Sequence, residues 1–440
     1  MRRASFASSL TLCKVWFFAS TVVFAQTAPA LTCDPVPVDK PTGNRDQIAA
    51  RARATARSGR NSEARSLFNW LIEQNPNDQE AWLGISQVNA WDRCLDKAEQ
   101  GYRILLSRNP RDVEARAGLI DVLMWQSRWD ETQANLDEGL GLSPNAPDLL
   151  LREAKLTFWS GNATLAADQL DNAVQKGARG EEVKLLRRQV YLEQLRTVMR
   201  VDSFPAGYAN IYTWGMQALY RAQRFELTLG TILYRHSGGV DPLLIDGRHS
   251  AGIVYHPGIG SLAGLSVGFG APVHFVPTVE TKAFALFPVG RVFSGYFAYA
   301  LWQYGTHKSV HIFAPAFAYS LRDDFHLELR WWTSYVVLHT QPGVGDSART
   351  GLVHSVGLLG RVQLAPDLNV GATYTYGIQL DENPIISRLF PLRSHIAALF
   401  SDWVLGDHIG MQPLFGFERR QAPYTVVTIL SAEMGVCWRW

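Results

Sequence analysis

The chain has 440 residues, 47% of them hydrophobic, and a formal net charge of +2 at pH 7. This length leaves room for two domains. The near-neutral charge excludes the basic footprint typical of nucleic-acid-binding proteins, so we expect no nucleic-acid partner.

The first residues have the pattern of a secretory signal peptide. Arg2 and Arg3 give a positive start, and an apolar stretch follows from Val15 to Phe24. Val23-Phe24-Ala25 then offers a small-residue cleavage site before Gln26. We predict that residues 1–25 are a signal peptide, that the chain is exported, and that residues 26–43 form a linker.

Four cysteines are present, and Cys13 would leave with the signal peptide. Thr32 before Cys33 makes a poor lipoprotein site, so we expect no lipidation. Cys33 and Cys94 would lie in an oxidising compartment and can pair, although the sequence alone does not decide this. Cys437 lies on the last predicted strand and has no evident mate.

From about Asn44 to Leu192 the sequence repeats every 34 residues. The in-register residues include Pro76, Pro110 and Pro144, and also Trp91, Trp125 and Trp159. A proline at the end of each second helix, with Asp78 and Asp112 as helix N-caps just beyond, resembles the tetratricopeptide repeat. We predict an α-solenoid over residues 44–192 with about four repeats, tryptophans packed in its core, and a concave groove that binds a protein partner.

Beyond about Gln194 the period of the apolar pattern changes to two. Phe325, Leu327, Leu329 and Trp331, for example, alternate with His326, Glu328 and Arg330. Such segments recur at the length that crosses a bilayer at a tilt. We predict an antiparallel transmembrane β-barrel of about 12–14 strands over residues 193–440. A soluble β-sandwich, whose strands also alternate, is the competing interpretation.

Short and long connections alternate along this region, which is typical of barrels with tight turns at one end and longer loops at the other. The longer loops are predicted at Ser237 to Gly247, His339 to Thr350 and Asp381 to Arg393. An even strand number brings the first and last strands to the short-turn end, which places the repeats in the periplasm. Prolines and glycines break the longest uncharged stretch, His249 to Val279, so we expect no transmembrane helix.

The final strand, Leu430 to Trp440, has large or apolar residues at every second position. It resembles the C-terminal strand by which outer-membrane barrels are recognised for insertion. This resemblance implies a location in the outer membrane, with lipid and the barrel-assembly machinery as partners. The predicted membrane-assembly signal consists of Met434, Val436, Trp438 and Trp440. An edge strand of a soluble sheet is the plainer alternative.

A signal peptide, a short repeat array and a barrel ending in Trp440 together resemble the YaiO family of outer-membrane proteins. More distantly, the arrangement is similar to the outer-membrane porins of exopolysaccharide export, which carry much longer repeat arrays. The resemblance rests on the in-register prolines and tryptophans and on the last strand. It implies a pore or export component for an exopolysaccharide or a related polar solute.

Inward-facing ionisable residues are the best candidate site residues of the barrel. They are Arg200, Asp202, Glu226, Lys282, His326, Glu328 and Arg330. A lumen with both signs of charge can conduct a neutral polar polymer without trapping it. In the plainer interpretation, these charges pair across neighbouring strands and fill the interior.

Two further functions stay open: a plugged barrel that only anchors the repeat scaffold, and a barrel enzyme. The suggestive catalytic pairs, His236-Ser237 and Asp323-Asp324, are adjacent residues that usually point apart or belong to ordinary turns. We therefore predict no enzyme and no catalytic residues. The scattered histidines predict no metal site, and we expect no cofactor.

Overall fold

The structure is a computed structural model that describes the chain in thirteen parts. These are Cys33, 41–205, 210–237, 245–271, 276–290, 292–306, 308–322, 325–338, 352–365, 367–383, 388–406, 408–421 and 426–440. The described residues form two compact units. The helical unit contains the described residues up to Leu156 together with Ala166–Val183, and the barrel unit contains Thr157–Leu165 and Lys184–Trp440.

Nine helices precede the first strand in the described part of the chain. They are α1 (Arg45–Arg57), α2 (Asn61–Gln74), α3 (Gln79–Trp91), α4 (Leu95–Arg108), α5 (Val113–Trp125), α6 (Trp129–Leu142), α7 (Pro147–Trp159), α8 (Ala163–Gln175) and α9 (Glu181–Gln189). The pairs α1/α2 to α7/α8 follow the 34-residue repeat, as predicted. No described helix is both long enough and apolar enough to cross a membrane.

The same contacts recur one repeat apart in the helical unit. Asp78 accepts a hydrogen bond from the Ala81 amide and caps α3, and Asp112 caps α5 in the same way. A Cβ at Gly84 would lie 2.4 Å from the Phe68 ring. The Phe68 ring packs directly on the helix backbone at Gly84, which is why a small residue is found there. The predicted N-caps are confirmed.

The three in-register tryptophans do not share one environment. Trp159 is buried and Trp125 is half-buried beneath the guanidinium of Arg93, whose Cζ lies 4.7 Å from the ring centre. Trp91, however, is 54% exposed. The prediction that these tryptophans are core residues is therefore wrong for Trp91, which ends α3 and has its ring at the surface.

The remaining chain forms β-strands. They are β1 (Glu193–Ser203), β2 (Asn210–Ala222), β3 (Phe225–Ser237), β4 (Ile245–Gly258), β5 (Ser261–Gly270), β6 (Val279–Val289), β7 (Phe293–Tyr304), β8 (Lys308–Phe313), β9 (Ala316–Arg322), β10 (Phe325–Leu338), β11 (Leu352–Ala365), β12 (Leu368–Asn383), β13 (Arg388–Leu405), β14 (Ile409–Gln421) and β15 (Val426–Arg439). Each is antiparallel to its neighbours, and β1 pairs with β15, so the sheet closes on itself.

The segments β8 and β9 are two parts of one barrel strand, since both pair with β7 on one side and β10 on the other. Pro315 separates them, because proline has no amide hydrogen to donate to the ladder. The chain thus forms a closed 14-strand antiparallel β-barrel after tetratricopeptide-like helices, which confirms the predicted fold class.

Short turns join the strands at the end of the barrel where β1 begins and β15 ends. Gln223-Arg224 and Ile259-Gly260 are two of these turns. One predicted long loop is shorter than expected. This is the stretch Asp381 to Arg393, in which β12 continues to Asn383 and β13 begins at Arg388. Residues 384–387 lie outside the described residues. The ladder between these two strands therefore extends into the segment that was predicted to be a long loop.

Candidate functional site in the barrel lumen

The two faces of the barrel wall differ in chemistry. Residues that point outward are mostly large and apolar and are exposed, as in Leu399 with 63% of its surface accessible. Residues at the alternate positions point inward, and many of these are charged and buried, as in Arg200 with 5%. The period-two alternation of the sequence produces this separation. The inner wall is therefore the candidate site.

The seven sequence-predicted lumen residues all fall on the inward positions of their strands. They do not form one cluster, because the strands carry them to different parts of the wall. Arg200 and Asp202 lie on β1, Glu226 on β3, Lys282 on β6, and His326, Glu328 and Arg330 on β10. Each instead joins a local group with residues of its own strand or of nearby strands.

The first group lies where the barrel closes between β1 and β15. An Arg200 nitrogen lies 2.5 Å from an Asp202 oxygen and another lies 3.7 Å from Glu433. Ser431 donates a hydrogen bond to Asp202 at 2.6 Å and accepts one from Arg200 at 3.1 Å. Buried ionised groups are costly unless they are paired, and this network pairs Arg200 with two carboxylates.

Glu226 is the centre of the second group, near the short-turn end. Arg221 donates to its carboxylate at 3.0 Å, and the His256 Nε2 atom lies 3.1 Å from the same oxygen. The guanidinium of Arg221 also stacks on Tyr191, with Cζ 4.2 Å from the ring centre. Glu226 thus binds partners on β2 and β4, one on each side of its own strand.

The third group places Lys282 beside Glu280 of the same strand. The Lys282 Nζ atom lies 2.5 Å from one carboxylate oxygen of Glu280, and Arg248 on β4 lies 2.9 Å from the other. A single carboxylate therefore faces two cations here.

The fourth group contains the β10 residues. Arg330 Nε lies 3.1 Å from Glu328 Oε1, and His326 Nε2 lies 3.9 Å from Glu328 Oε2. The Arg330 guanidinium carbon lies 4.6 Å from the ring centre of Tyr296 and 5.7 Å from that of Trp332. Charge and aromatic surface meet at this part of the lumen.

Sequence reasoning missed inward ion pairs that have the same pattern. Glu418 and Arg420 on β14 form a buried pair, and Ser394 donates to Glu418 at 2.8 Å. Their Glu-x-Arg spacing matches that of Glu328 and Arg330, so the same pattern in the sequence could have predicted this pair. The partners Arg221 and Arg248 carried no such signal, because they come from other strands and depend on the register.

Part of the inner wall is apolar. Trp302, Val310, Ile312 and Val336 are buried and pack together, with Trp332 against them. They lie at inward positions of β7, β8 and β10, next to the fourth charged group. The lumen wall is therefore charged at the four groups described above and apolar at the cluster around Trp302.

The predicted membrane-assembly residues all point outward on β15. Trp440 and Met434 are exposed, and Trp438 and Val436 lie on the same face. The Trp440 indole nitrogen donates to the Glu193 carboxylate, and the two residues also bond through their backbones. The last strand thus presents an aromatic outer surface at the short-turn end.

Cys33 and Cys94 are joined by a disulfide in the structure, with their Cα atoms 5.8 Å apart. Cys437 is a buried free thiol on the inner face of β15. Among the described residues, no group of three or more His, Cys, Asp or Glu side chains could hold a metal ion. Asp323 and Asp324 lie outside the described residues, as do the side chains of His236 and Ser237.

No protein-family model matches the sequence, and no curated protein matches it either. Among solved structures, the chain is similar to CymD, a monoaromatic hydrocarbon channel, at 7% identity over 59% of this chain and 93% of that one, with a TM-score of 0.40. It is also similar to a thermophilic TPR protein of Thermus thermophilus, at 16% identity over 33% of this chain and 79% of that one, with a TM-score of 0.30. A tetratricopeptide repeat protein from Parabacteroides merdae matches at 22% identity over 33% of this chain and 57% of that one, with a TM-score of 0.31.

Proposed function

We propose that this chain is an outer-membrane β-barrel whose lumen passes an exopolysaccharide or a related polar solute, with the repeats as a periplasmic docking module. The resemblance of the sequence to the YaiO family is part of the basis for this proposal. The observation that carries it is the barrel wall itself, which is apolar and exposed outside and charged and buried inside. Only lipid gives such an outer face a favourable solvent.

The size of this apolar outer face supports a location in the membrane. Met199, Leu229, Leu399 and Phe415 are each more than three-fifths exposed; Leu399 and Phe415 are cross-strand partners on β13 and β14, and the other two lie on β1 and β3. Burial of one such side chain is worth about 1.5–3 kcal/mol, so a ring of them makes the water-exposed state strongly unfavourable. A closed barrel also leaves no strand edge unpaired in hydrocarbon.

The pairing of inward charges supports passage of a solute without strong net charge. Arg200 and Arg330 are each paired with acidic residues at short range. Paired charges offer hydrogen bonds to passing hydroxyl groups, while neither sign dominates enough to hold an ion strongly. A neutral or weakly charged polymer is the solute that this lining fits best.

The order of short and long connections supports a periplasmic location for the repeats. The chain enters β1 and leaves β15 at the end with the short turns. In outer-membrane barrels this end faces the periplasm. A solenoid there can recruit a protein that delivers the solute.

Conductance of the purified full chain in planar bilayers tests the proposal. We expect discrete, stable ion-conducting steps with weak ion selectivity, because the lumen charges described above are paired with opposite charges. Replacing Arg200 with Gln removes the cation that lies between Asp202 and Glu433, so it should shift selectivity toward cations. The outward substitution Met199→Gln is the matched control and should leave selectivity unchanged. A folded barrel that stays electrically silent would contradict passage of any solute.

A second candidate function is a membrane anchor for the repeats, with a lumen filled by its own side chains. Burial favours it, since Glu328 is 3% exposed and Arg330 is 5% exposed although they face the lumen. In this case the barrel is silent, and deletion of the repeats abolishes binding of a periplasmic protein without affecting insertion. Crosslinking of the full chain in cell envelopes, with and without residues 44–177, measures that binding.

A further inference from the structure

We propose that Tyr296, Glu328, Arg330 and Trp332 form a subsite for one sugar unit of a neutral glycan on the lumen wall. The inference rests on the proposed passage of a polar solute and names its chemistry. The four side chains lie at inward positions of β7 and β10, with β9 between these two strands.

The floor of the subsite is made of small residues. Ala316 pairs with Tyr296 on one side and with Arg330 on the other, so the guanidinium crosses above it to reach the Tyr296 ring. Gly357 pairs with Arg330 on the opposite side, and a Cβ there would lie 2.6 Å from Cζ3 of Trp332. The indole therefore packs against Gly357, and larger residues at positions 316 and 357 would occupy the subsite.

Two polar atoms of the subsite have unused hydrogen-bonding capacity. Within the described part of the chain, neither Nε1 of Trp332 nor Oε2 of Glu328 has a hydrogen-bond partner. The His326 Nε2 atom lies 3.9 Å from that oxygen, which is too far for a hydrogen bond. A buried donor and a buried acceptor without partners are unfavourable, and a ligand that hydrogen-bonds to both would remove that cost.

These features together specify the ligand class. The indole N–H needs an acceptor and the carboxylate oxygen needs a donor, and a sugar hydroxyl can serve as either. Arg330 and Glu328 compensate each other's charge, so the subsite does not select an ion. The rings of Tyr296 and Trp332 offer apolar surface for the C–H face of a pyranose. A neutral glycan meets all three conditions.

Calorimetric titration of the full chain in detergent with three neutral hexasaccharides tests this subsite. The probes are cellohexaose, maltohexaose and chitohexaose, with hexagalacturonate as the anionic comparison. We expect at least one neutral probe to bind, and to bind more tightly than the anionic one. Absence of binding by all three up to about 10 mM, or stronger binding of the anionic probe, would overturn the proposal.

Two substitutions locate the binding, each with a matched control. Trp332→Phe keeps an aromatic ring and removes the N–H, so it should weaken binding about tenfold. Trp331→Phe makes the same change on the outward face and should not weaken it. Glu328→Gln and Glu418→Gln each disrupt a buried ion pair with an arginine, and only the first should reduce affinity. Heat-modifiable migration of every variant checks that the barrel is folded.

The outcomes separate this inference from the proposed function. Equal affinities of Trp332→Phe and Trp331→Phe would reject the subsite even if the barrel conducts. A silent barrel that still binds a neutral hexasaccharide through Trp332 would keep the subsite and reject passage.

Discussion

Glu193, the first residue of β1, and Trp440, the last residue of the chain, exchange both backbone hydrogen bonds. The Glu193 amide donates to the Trp440 carbonyl at 3.0 Å, and the Trp440 amide donates to the Glu193 carbonyl at 3.1 Å. The Leu192 amide also donates to the Trp440 carbonyl, at 3.2 Å. The seam that closes the barrel therefore extends to the final residue.

Removal of Trp440 should impair barrel closure, because it removes these three backbone hydrogen bonds together with an outward aromatic ring. We expect most of the truncated protein to lack the heat-modifiable form on unheated gels. Trp440→Phe keeps the backbone bonds and an aromatic ring, and it should assemble almost normally. Equal assembly of the truncated chain and Trp440→Phe would show that the final residue contributes nothing to closure.

Gly118 should not tolerate a methyl group, since a Cβ there would lie 2.3 Å from Cζ of Tyr102. Gly118 and Tyr102 lie on helices that pack against each other, so Gly118→Ala should lower the free energy of unfolding by about 1–3 kcal/mol. Gly141 also lies within a helix, α6, but apart from its chain neighbours and the nearby backbone of that helix, no described atom lies within 4 Å of its Cβ position. Gly141→Ala should therefore stabilise by up to about 1 kcal/mol. Urea unfolding followed by circular dichroism at the helical band measures both, and a loss of stability in both variants would refute the packing argument.

Asp78 should contribute to stability in a pH-dependent manner. The hydrogen bond from the Arg45 guanidinium lowers the pKa of the Asp78 carboxyl below its ordinary value of 3.8. A group with a lowered folded-state pKa stabilises the protein above the unfolded pKa, and the contribution is lost as pH falls through the folded-state value. The difference between wild type and Asp78→Asn should therefore be greatest near neutral pH and shrink as pH falls below about 3.8.

Asparagine caps helices as well as aspartate does, so this substitution removes the charge and keeps the cap. We expect a loss of about 1 kcal/mol at pH 7, because Arg45 is partly exposed. Asp112 caps α5 at 3.0 Å from the Ala115 amide, and no described residue forms an ion pair with it. Asp112→Asn is the matched control. If urea unfolding shows the same difference in free energy between wild type and Asp78→Asn at every pH, the ion pair with Arg45 does not stabilise the protein as proposed.

Most of the fold follows from local patterns in the sequence. The 34-residue period predicts the helix pairs, because the same contact recurs in successive repeats. Phe68 packs on Gly84, and Tyr102 packs on Gly118. Alternation gives the inward and outward faces of every strand, since successive side chains point to opposite sides. The divided strand at Pro315 could also have been read from the missing amide hydrogen.

The partners of the lumen residues could not be read from the sequence. Glu226 binds Arg221 and His256, which lie 5 and 30 positions away, and only the register of β2, β3 and β4 brings them together. Trp91 illustrates a second limit. Its spacing matches that of Trp159, but exposure depends on the packing of neighbouring helices rather than on period.

The central claim is that lipid surrounds the barrel, and accessibility of spin labels on the wall tests it most directly. Leu399 points outward and Ala398, next to it on β13, points inward and is buried. With Cys437 replaced by serine and the Cys33–Cys94 disulfide kept oxidised, a label can be placed at either position in liposome-reconstituted protein. We predict that the label at 399 collides with oxygen far more than with a water-soluble nickel chelate, because oxygen concentrates in hydrocarbon. A label at 399 that collides mainly with the nickel chelate would place that face in water and contradict the account.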